Sequence, residues 1–126
     1  MVNSMKRKVL IIEDEPVISE MMCILLETEG YIVISLSDTA IARQQLLMHD
    51  VAMVMLDVNL NGEDGPSMCT YIKQEANLKH IPVVLVSTNS ELETIKNTCG
   101  ADDFIQKPFD LDYFINKVNG YGRAVA

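Results

Sequence analysis

The sequence predicts an α/β protein in which five parallel strands form a doubly wound sheet with helices on both faces. Five short runs rich in Val and Ile alternate with segments of helical periodicity. Most of these runs are apolar throughout, which is typical of strands buried on both faces of a parallel sheet. Parallel strands joined through helices also imply right-handed crossovers. The expected strands cover residues 8–12, 31–35, 51–56, 82–87 and 103–106.

The first expected helix is marked at both ends. An apolar stripe recurs at intervals of three and four residues from Ile18 to Leu26. Pro16 suits the first turn of a helix, and Gly30 suits the residue that follows its end. The pattern therefore predicts one amphipathic helix packed against the sheet.

Four further helices are expected in the intervals between and after the later strands. They cover residues from about 38 to 48, from about 66 to 76, from about 90 to 99, and around 111–118. Ser90 and Glu93 have the spacing of a capping box, and Gly100 suits the end of that helix. Pro82 occupies the first residue of its strand, where proline is tolerated.

Length and composition indicate one ordinary globular domain. The chain has 126 residues, of which 48% are hydrophobic and 22% charged, with a net charge of -8. So acidic a chain is repelled by nucleic-acid phosphates and by anionic membrane surfaces, so we expect no direct binding to either. The basic start is followed by only four apolar residues, which is too short for a signal peptide. We therefore expect a cytoplasmic protein.

The cysteines and histidines indicate neither a disulfide framework nor a zinc site. Cys23, Cys69 and Cys99 lie far apart in the sequence without a CxxC pair, which suits a reducing compartment. His49 and His80 are isolated from one another and from the cysteines.

Polar residues that can take part in catalysis or ligand binding lie at the ends of four of the five expected strands. Glu13 and Asp14 follow the first strand, Asp57 the third, and Lys107 the fifth, while Ser87 ends the fourth. Ligands of open parallel sheets bind beyond the carboxyl ends of the strands. These side chains should therefore converge on one rim, provided that the first and third strands are neighbours.

The chemistry of this set indicates phosphoryl transfer. Glu13, Asp14 and Asp57 would repel one another unless a proton or a cation compensates, and an all-oxygen cluster suits Mg²⁺. A metal ion, the Lys107 ammonium and the Ser87 hydroxyl around one carboxylate would cradle a phosphoryl group. Asp57 is then the expected nucleophile, because carboxylates are known phosphoryl acceptors.

Four segments resemble, in their order and spacing, the receiver (CheY-like) domain of two-component response regulators. They are VLIIEDEP with the acidic pair, MVMLDVNLNGEDG with the phosphoacceptor, IPVVLVS as the fourth strand, and GADDFIQKPF with the lysine motif. The resemblance extends from about Lys8 to about Asn119. It implies the strand order 2-1-3-4-5 of flavodoxin-like and CheY-like sheets.

The resemblance implies a magnesium site. Asp14 and Asp57 would ligate Mg²⁺ directly, and Glu13 would assist through water. The backbone carbonyl of Asn59 would complete the ligands that the protein supplies.

The resemblance also implies a set of switch residues. Asp57 would accept the phosphoryl group, Lys107 would pair with its oxygens, and Ser87 would move to hydrogen-bond it. Phe104 stands at the aromatic switch position and would turn inward with Ser87. The Lys107–Pro108 peptide bond would be cis.

The function implied by the resemblance is a signalling switch rather than a turnover enzyme. A sensor histidine kinase or a histidine phosphotransfer protein would donate the phosphoryl group to Asp57. The face formed by helix four, strand five and helix five would then repack and contact an unidentified target, or a second copy in a phosphorylation-dependent homodimer. Residues 1–126 are expected to form a single receiver domain, with a core of about 8–119 and no output domain in this chain.

The site residues also bear on three alternative functions. A pseudo-receiver would only dock partners, and the intact Asp57, Asp14 and Lys107 argue against it. A haloacid-dehalogenase-type phosphatase requires a second aspartate two residues after the nucleophile, where this chain has Asn59. A nucleotide-binding or flavin-binding module requires a glycine-rich turn after the first strand, where this chain has EDEP.

The chain departs from the family pattern at a few positions. The acidic pair starts with Glu13 rather than Asp, Asn61 replaces the usual proline, and Ser87 and Phe104 replace the commoner Thr and Tyr. Two neutral amides, Asn59 and Asn89, occupy the variable positions that tune the lifetime of the phosphoryl group. We expect no extreme lifetime, since neither amide strongly repels or activates an attacking water.

Overall fold

A computed structural model describes residues 7–60 and 64–122 of the chain. The strands are β1 (Lys8–Ile12), β2 (Ile32–Leu36), β3 (Val51–Leu56), β4 (Val83–Ser87) and β5 (Asp103–Gln106). The helices are α1 (Pro16–Thr28), α2 (Ala42–Met48), α3 (Gly65–Gln74), α4 (Leu92–Cys99) and α5 (Leu111–Gly122). The strands pair in parallel in the order β2-β1-β3-β4-β5, which confirms the predicted fold.

The sheet separates two apolar cores, which explains why the strand sequences are apolar without alternation. Along the central strands, Leu10 and Val54 contribute to one core while Ile11 and Met55 contribute to the other. Helices α2, α3 and α4 cover the first core, and α1 and α5 cover the second. Each fully buried aliphatic side chain contributes about 1.5–3 kcal/mol, so the central strands are the most firmly held part of the fold.

Most predicted boundaries agree with the structure to within one residue. Strands β1, β3 and β5 match their predicted ranges, whereas β2 is shifted by one residue and β4 starts after Pro82. The Pro82 carbonyl still accepts a hydrogen bond from Val54 N–H at 2.9 Å. Helix α1 begins at Pro16, and Gly30 follows it with a positive φ of 94°, as the sequence predicted.

The predicted start of the second helix is wrong. Helix α2 begins at Ala42 rather than near Asp38. The Asp38 carboxylate accepts a hydrogen bond from Ala40 N–H at 2.9 Å, which bends the chain into a local turn before the helix. A short side chain that bonds its own backbone competes with helix formation in this way.

The predicted capping box of the fourth helix is also wrong. Helix α4 begins at Leu92, and its N-cap residue, Glu91, makes no side-chain capping bond. Asn89 instead accepts a hydrogen bond from Glu91 N–H at 2.8 Å, so the turn before the helix is closed by Asn89 rather than by Ser90 and Glu93. Gly100 ends the helix in the left-handed conformation with φ 84°, as predicted.

The strand order places the carboxyl ends of β1 and β3 side by side. Asp57 N–H donates to the Ile12 carbonyl at 3.0 Å, and Glu13 N–H donates to the Leu36 carbonyl at 3.0 Å. The backbone of both acidic residues is therefore fixed by the ends of neighbouring strands.

Among the described residues, no helix has the length and hydropathy that crossing a membrane requires.

Gly65 allows the first turn of α3 to pack directly against the chain that follows Asp57. A Cβ atom at this position would lie 2.6 Å from the Asp57 carbonyl oxygen and 2.8 Å from the Val58 Cα. Both are backbone atoms, which cannot rotate away as the end of a flexible side chain can. A glycine here keeps α3 and the chain after Asp57 in close contact.

We expect Gly65→Ala to lower the free energy of unfolding by about 1–3 kcal/mol, because the added methyl overpacks the backbone after Asp57. Urea unfolding monitored by circular dichroism measures this loss. Gly120→Ala in α5 is the matched control, since a Cβ there meets nothing within 4 Å. The control should be unchanged or more stable by about 0.5–1 kcal/mol, because Ala favours helix. Equal stability of the two variants would contradict the packing argument.

Candidate functional site

Three carboxylates meet at the rim of the sheet. One oxygen each from Glu13, Asp14 and Asp57 lies within 4.8 Å of the others. Glu13 is only 2% exposed and Asp57 6%, while Asp14 is half-buried. Like charges this close and this buried are unfavourable unless a cation or a proton compensates them.

The Lys107 side chain brings a positive charge between two of these carboxylates. Its Nζ lies 2.8 Å from Glu13 Oε1 and 3.1 Å from Asp57 Oδ2. The Lys107 N–H also donates to the Ser87 carbonyl at 2.8 Å, which ties the residue to the end of β4. The Lys107–Pro108 bond is cis, as the resemblance to receiver domains implied.

The cluster shifts the pKa values of two of its members. Burial raises the pKa of Glu13 above its ordinary value of 4.5, and the hydrogen bond from Lys107 opposes but does not cancel this effect. The charge of Asp57 adds to the increase. Burial acts to lower the pKa of Lys107, yet the hydrogen bonds to Glu13 and Asp57 outweigh it, so the pKa is raised above 10.5. Lys107 is therefore a cation at neutral pH.

The two oxygens of Asp57 have different partners. Oδ1 accepts a hydrogen bond from Asn59 N–H at 2.8 Å, and Oδ2 accepts one from Lys107 Nζ at 3.1 Å. The carboxylate is therefore held in one orientation by a backbone donor on one side and an ammonium on the other. A carboxylate fixed in this way needs little reorganisation before it reacts.

The Ser87 hydroxyl is fully buried at the end of β4 and is held by two asparagines. Its Oγ accepts hydrogen bonds from Asn59 Nδ2 at 3.0 Å and from Asn89 N–H at 3.3 Å. A serine hydroxyl has two acceptor lone pairs and one donor hydrogen, so donation is its remaining capacity. The sequence predicted other roles for Asn59 and did not reveal its bond to Ser87, because the two residues are 28 positions apart.

Phe104 lies half-buried on β5, opposite Leu85 of β4 in the strand register. Its ring packs against the core that α2, α3 and α4 cover.

The carboxyl edge of the sheet carries all of the predicted rim residues: Glu13, Asp14, Asp57, Ser87 and Lys107. Their catalytic roles stay predictions. The departure at Asn61 lies outside the described residues.

The donor set fits Mg²⁺. Three carboxylates that each bring one oxygen into a cluster of 4.8 Å match the preference of this hard cation for oxygen ligands. Asp14, Asp57 and Glu13 would hold the ion, and the predicted role of the Asn59 carbonyl stays a prediction. The ion would add the positive charge that a transferring phosphoryl group requires.

Comparison with known proteins identifies the family. Residues 9–119 match the model of the response regulator receiver domain. The chain belongs to this family. It is 32% identical over 124 residues to the phosphate regulon transcriptional regulatory protein PhoB of Escherichia coli. The aligned region covers 97% of this chain and 54% of that protein. The receiver domain thus spans about half the length of the curated relatives that it matches.

Solved receiver domains share the fold. The signal receiver domain of a histidine kinase from Syntrophus aciditrophicus superimposes with a TM-score of 0.85 at 28% identity, covering 94% of this chain and 92% of that one. The receiver domain of a sensor histidine kinase from Pseudomonas aeruginosa, solved with magnesium coordinated in its active site cleft, gives 0.84 at 21% identity. That match covers 95% of this receiver domain and 100% of the other chain.

We expect Asp57→Asn to raise the free energy of unfolding at pH 7 by about 1 kcal/mol, because three clustered carboxylates outnumber the single Lys107 ammonium and the substitution removes one of these negative charges. When folding raises the pKa of a carboxyl, the free energy of unfolding falls as the pH rises from the unfolded value, here 4.5, through the folded pKa. The charge of Asp57 is one cause of the raised pKa of Glu13, so Asp57 contributes to this fall in stability. The gain should therefore shrink as the pH is lowered and Glu13 takes up its proton. Urea unfolding between pH 4 and pH 8 measures the difference.

Glu27→Gln is the matched control, since it removes one negative charge from the exposed face of α1, away from the rim. It should change stability by only a few tenths of a kcal/mol, as exposed charges do. An equal gain in both variants would show that overall net charge, and not the rim cluster, sets the effect.

Proposed function

We propose that this receiver domain accepts a phosphoryl group on Asp57 in a Mg²⁺-dependent reaction and so operates as a switch. The observation that supports this most is the buried Asp57 carboxylate, which is oriented by Lys107 and Asn59 N–H beside Glu13 and Asp14. This arrangement supplies a nucleophile, a cation, and oxygen ligands for a metal ion at one point.

The proposed donor is a phosphohistidine of a sensor histidine kinase or a histidine phosphotransfer protein. A carboxylate oxygen of Asp57 would attack the phosphorus, the new O–P bond would form, and the P–N bond to the imidazole would break. The leaving imidazole would keep its electron pair and take up a proton. Mg²⁺, held by Asp14, Asp57 and Glu13, would neutralise charge on the phosphoryl oxygens.

The charge that appears on Asp57 would bias the surrounding residues between two arrangements. Lys107 already bonds Asp57 and would extend to the phosphoryl oxygens. The Ser87 hydroxyl, whose oxygen accepts from Asn59 and Asn89, would turn its hydrogen toward the new dianion. Phe104, half-buried beside β4, would follow the movement of Ser87.

The readout surface in this proposal is the face formed by α4, β5 and α5. Two residues of this face are exposed, Glu91 and Tyr113, the latter by 46%. Lys96 on the same face is half-buried. The partner would be an unidentified target protein or a second copy of the domain in a phosphorylation-dependent homodimer. The proposed setting is the cytoplasm, and the domain would act as a switch rather than as a turnover enzyme.

Phosphorylation is tested with acetyl phosphate or phosphoramidate as a small-molecule donor. In the presence of Mg²⁺, intact-mass spectrometry should show one added phosphoryl group on the native protein. The gain should be absent with Asp57→Asn, and it should be absent when EDTA removes the metal. A native protein without any Mg²⁺-dependent mass gain would contradict this proposal and favour a docking module that works without phosphorylation.

We expect Ser87→Ala to keep phosphorylation of Asp57 but to weaken its transmission to α4. The variant lacks the hydroxyl that would donate to the phosphoryl group, while the nucleophile and acidic cluster remain. Hydrogen exchange of α4 with and without beryllofluoride measures the transmission. Ser87→Thr, which keeps the hydroxyl, is the matched control and should respond as the native protein does. An undiminished α4 response in Ser87→Ala would contradict the assigned role of Ser87.

A further inference from the structure

Two cysteines that lie 30 positions apart in the sequence meet between α3 and α4. Cys69 lies within α3 and is fully buried, and Cys99 is the last residue of α4 and is 6% exposed. Cys69 Sγ donates a hydrogen bond to the Cys99 carbonyl oxygen at 3.5 Å, so the Cys69 sulfur lies beside the backbone of Cys99. Both are free thiols that pack in the same apolar core.

The local environment makes Cys99 the more reactive of the two thiols. The neighbouring Cys69 thiol lowers the pKa of Cys99, whereas the neighbouring Cys99 thiol raises the pKa of Cys69. A lowered pKa increases the fraction of thiolate, which is the form that reacts with oxidants. Cys99 also lines a surface cleft of ≈240 Å³ between α3 and α4, bordered by Pro66 and Thr98. This cleft gives a small oxidant a route from solvent to Cys99.

We propose that Cys69 and Cys99 form a reversible disulfide that links α3 to α4 when the protein meets a hydroperoxide. The position of Cys99 favours closure, because it ends its helix immediately before the left-handed Gly100, where the backbone adapts more easily than in a helix interior. Transient disulfides of this kind are compatible with a reducing compartment, in which they are re-reduced by thiols.

The chemistry balances in two steps. The Cys99 thiolate attacks one peroxide oxygen, so that an S–O bond forms, the O–O bond breaks, and the leaving hydroxide takes up a proton to become water. The Cys69 sulfur then attacks the Cys99 sulfenic sulfur, so that the S–S bond forms and the S–O bond breaks. The second hydroxide takes the Cys69 proton. Two thiols are oxidised by two electrons, and one hydrogen peroxide is reduced to two waters; an organic hydroperoxide would release its alcohol in the first step in place of one water.

The link would restrain the element that the phosphorylation switch is proposed to move. Helix α4 is part of the readout face, and a covalent bond to α3 would hold it in its resting position. This consequence rests on the proposed function, whereas formation of the disulfide does not depend on it. The two ideas can therefore fail separately.

The disulfide is tested in the full chain carrying Cys23→Ser, so that only Cys69 and Cys99 remain. Cys23 lies on α1, outside the pair, and burial raises its pKa. After hydrogen peroxide, the mass should fall by two hydrogens, and a non-reducing peptide map should show the Cys69–Cys99 link. Dithiothreitol should reverse both changes. Closing this loop should also raise Tm by roughly 5 °C.

Cys69→Ala in the same background is the matched control and should give only a sulfenic or higher acid at Cys99. Cys69→Ala removes a buried sulfur atom, so the fold of this variant is checked by circular dichroism. Whether or not the variant folds, the peptide map of the Cys23→Ser protein decides whether the disulfide forms. Sulfinic acid at Cys99 or disulfides between molecules, without the internal link in the Cys23→Ser protein, would overturn the inference.

The consequence for switching is measured as the affinity of the oxidised and reduced Cys23→Ser protein for beryllofluoride with Mg²⁺. A restrained α4 should weaken the affinity of the oxidised form roughly fivefold or more, which is the scale of ordinary coupling between sites. Equal affinity of both forms would overturn the restraint on switching. Failure of beryllofluoride to bind either form would instead count against phosphorylation of Asp57, and the peptide map would still decide the disulfide.

Discussion

The contact of the Lys107 ammonium with Glu13 and Asp57 is the interaction on which the rest of the site depends. It joins residues that follow β1, β3 and β5, at distances of 2.8 and 3.1 Å. Without a cation at this point, two carboxylates that are almost fully buried would face each other and Asp14 across less than 5 Å. The same arrangement that permits burial of these charges also fixes the orientation of the Asp57 carboxylate.

The two-sided core makes this arrangement precise. Side chains of β1 and β3 alternate between two apolar cores, so the strands that carry Glu13 and Asp57 have little freedom to shift. The polar groups lie just beyond the strand ends, where loops can adapt while their anchors stay fixed. Gly65 extends this constraint, since its lack of a side chain lets α3 contact the backbone of Asp57.

The fourth strand and the helix after it connect the site to the surface. Ser87 ends β4 with its hydroxyl bonded to Asn59 and Asn89, and Asn89 closes the turn that leads into α4. A change at the Ser87 hydroxyl therefore has a short covalent and hydrogen-bonded route to α4. The contact of the Cys69 thiol with the Cys99 carbonyl lies at the opposite end of the same helix, so the proposed phosphorylation and oxidation would act on α4 from its two ends.

The fold class can be predicted from the amino-acid sequence, because apolar strands and amphipathic helices each have a characteristic periodicity. The acidic residues, Ser87 and Lys107 could be located from their places at the ends of the strands. Helix starts at Ala42 and Leu92 could not be predicted, since they depend on local bonds of Asp38 and Asn89. The bond between Asn59 and Ser87 and the shared core of two cysteines become visible only in the folded chain. Contacts between residues about 30 positions apart arise when helices and strands pack, and no short-range sequence pattern encodes them.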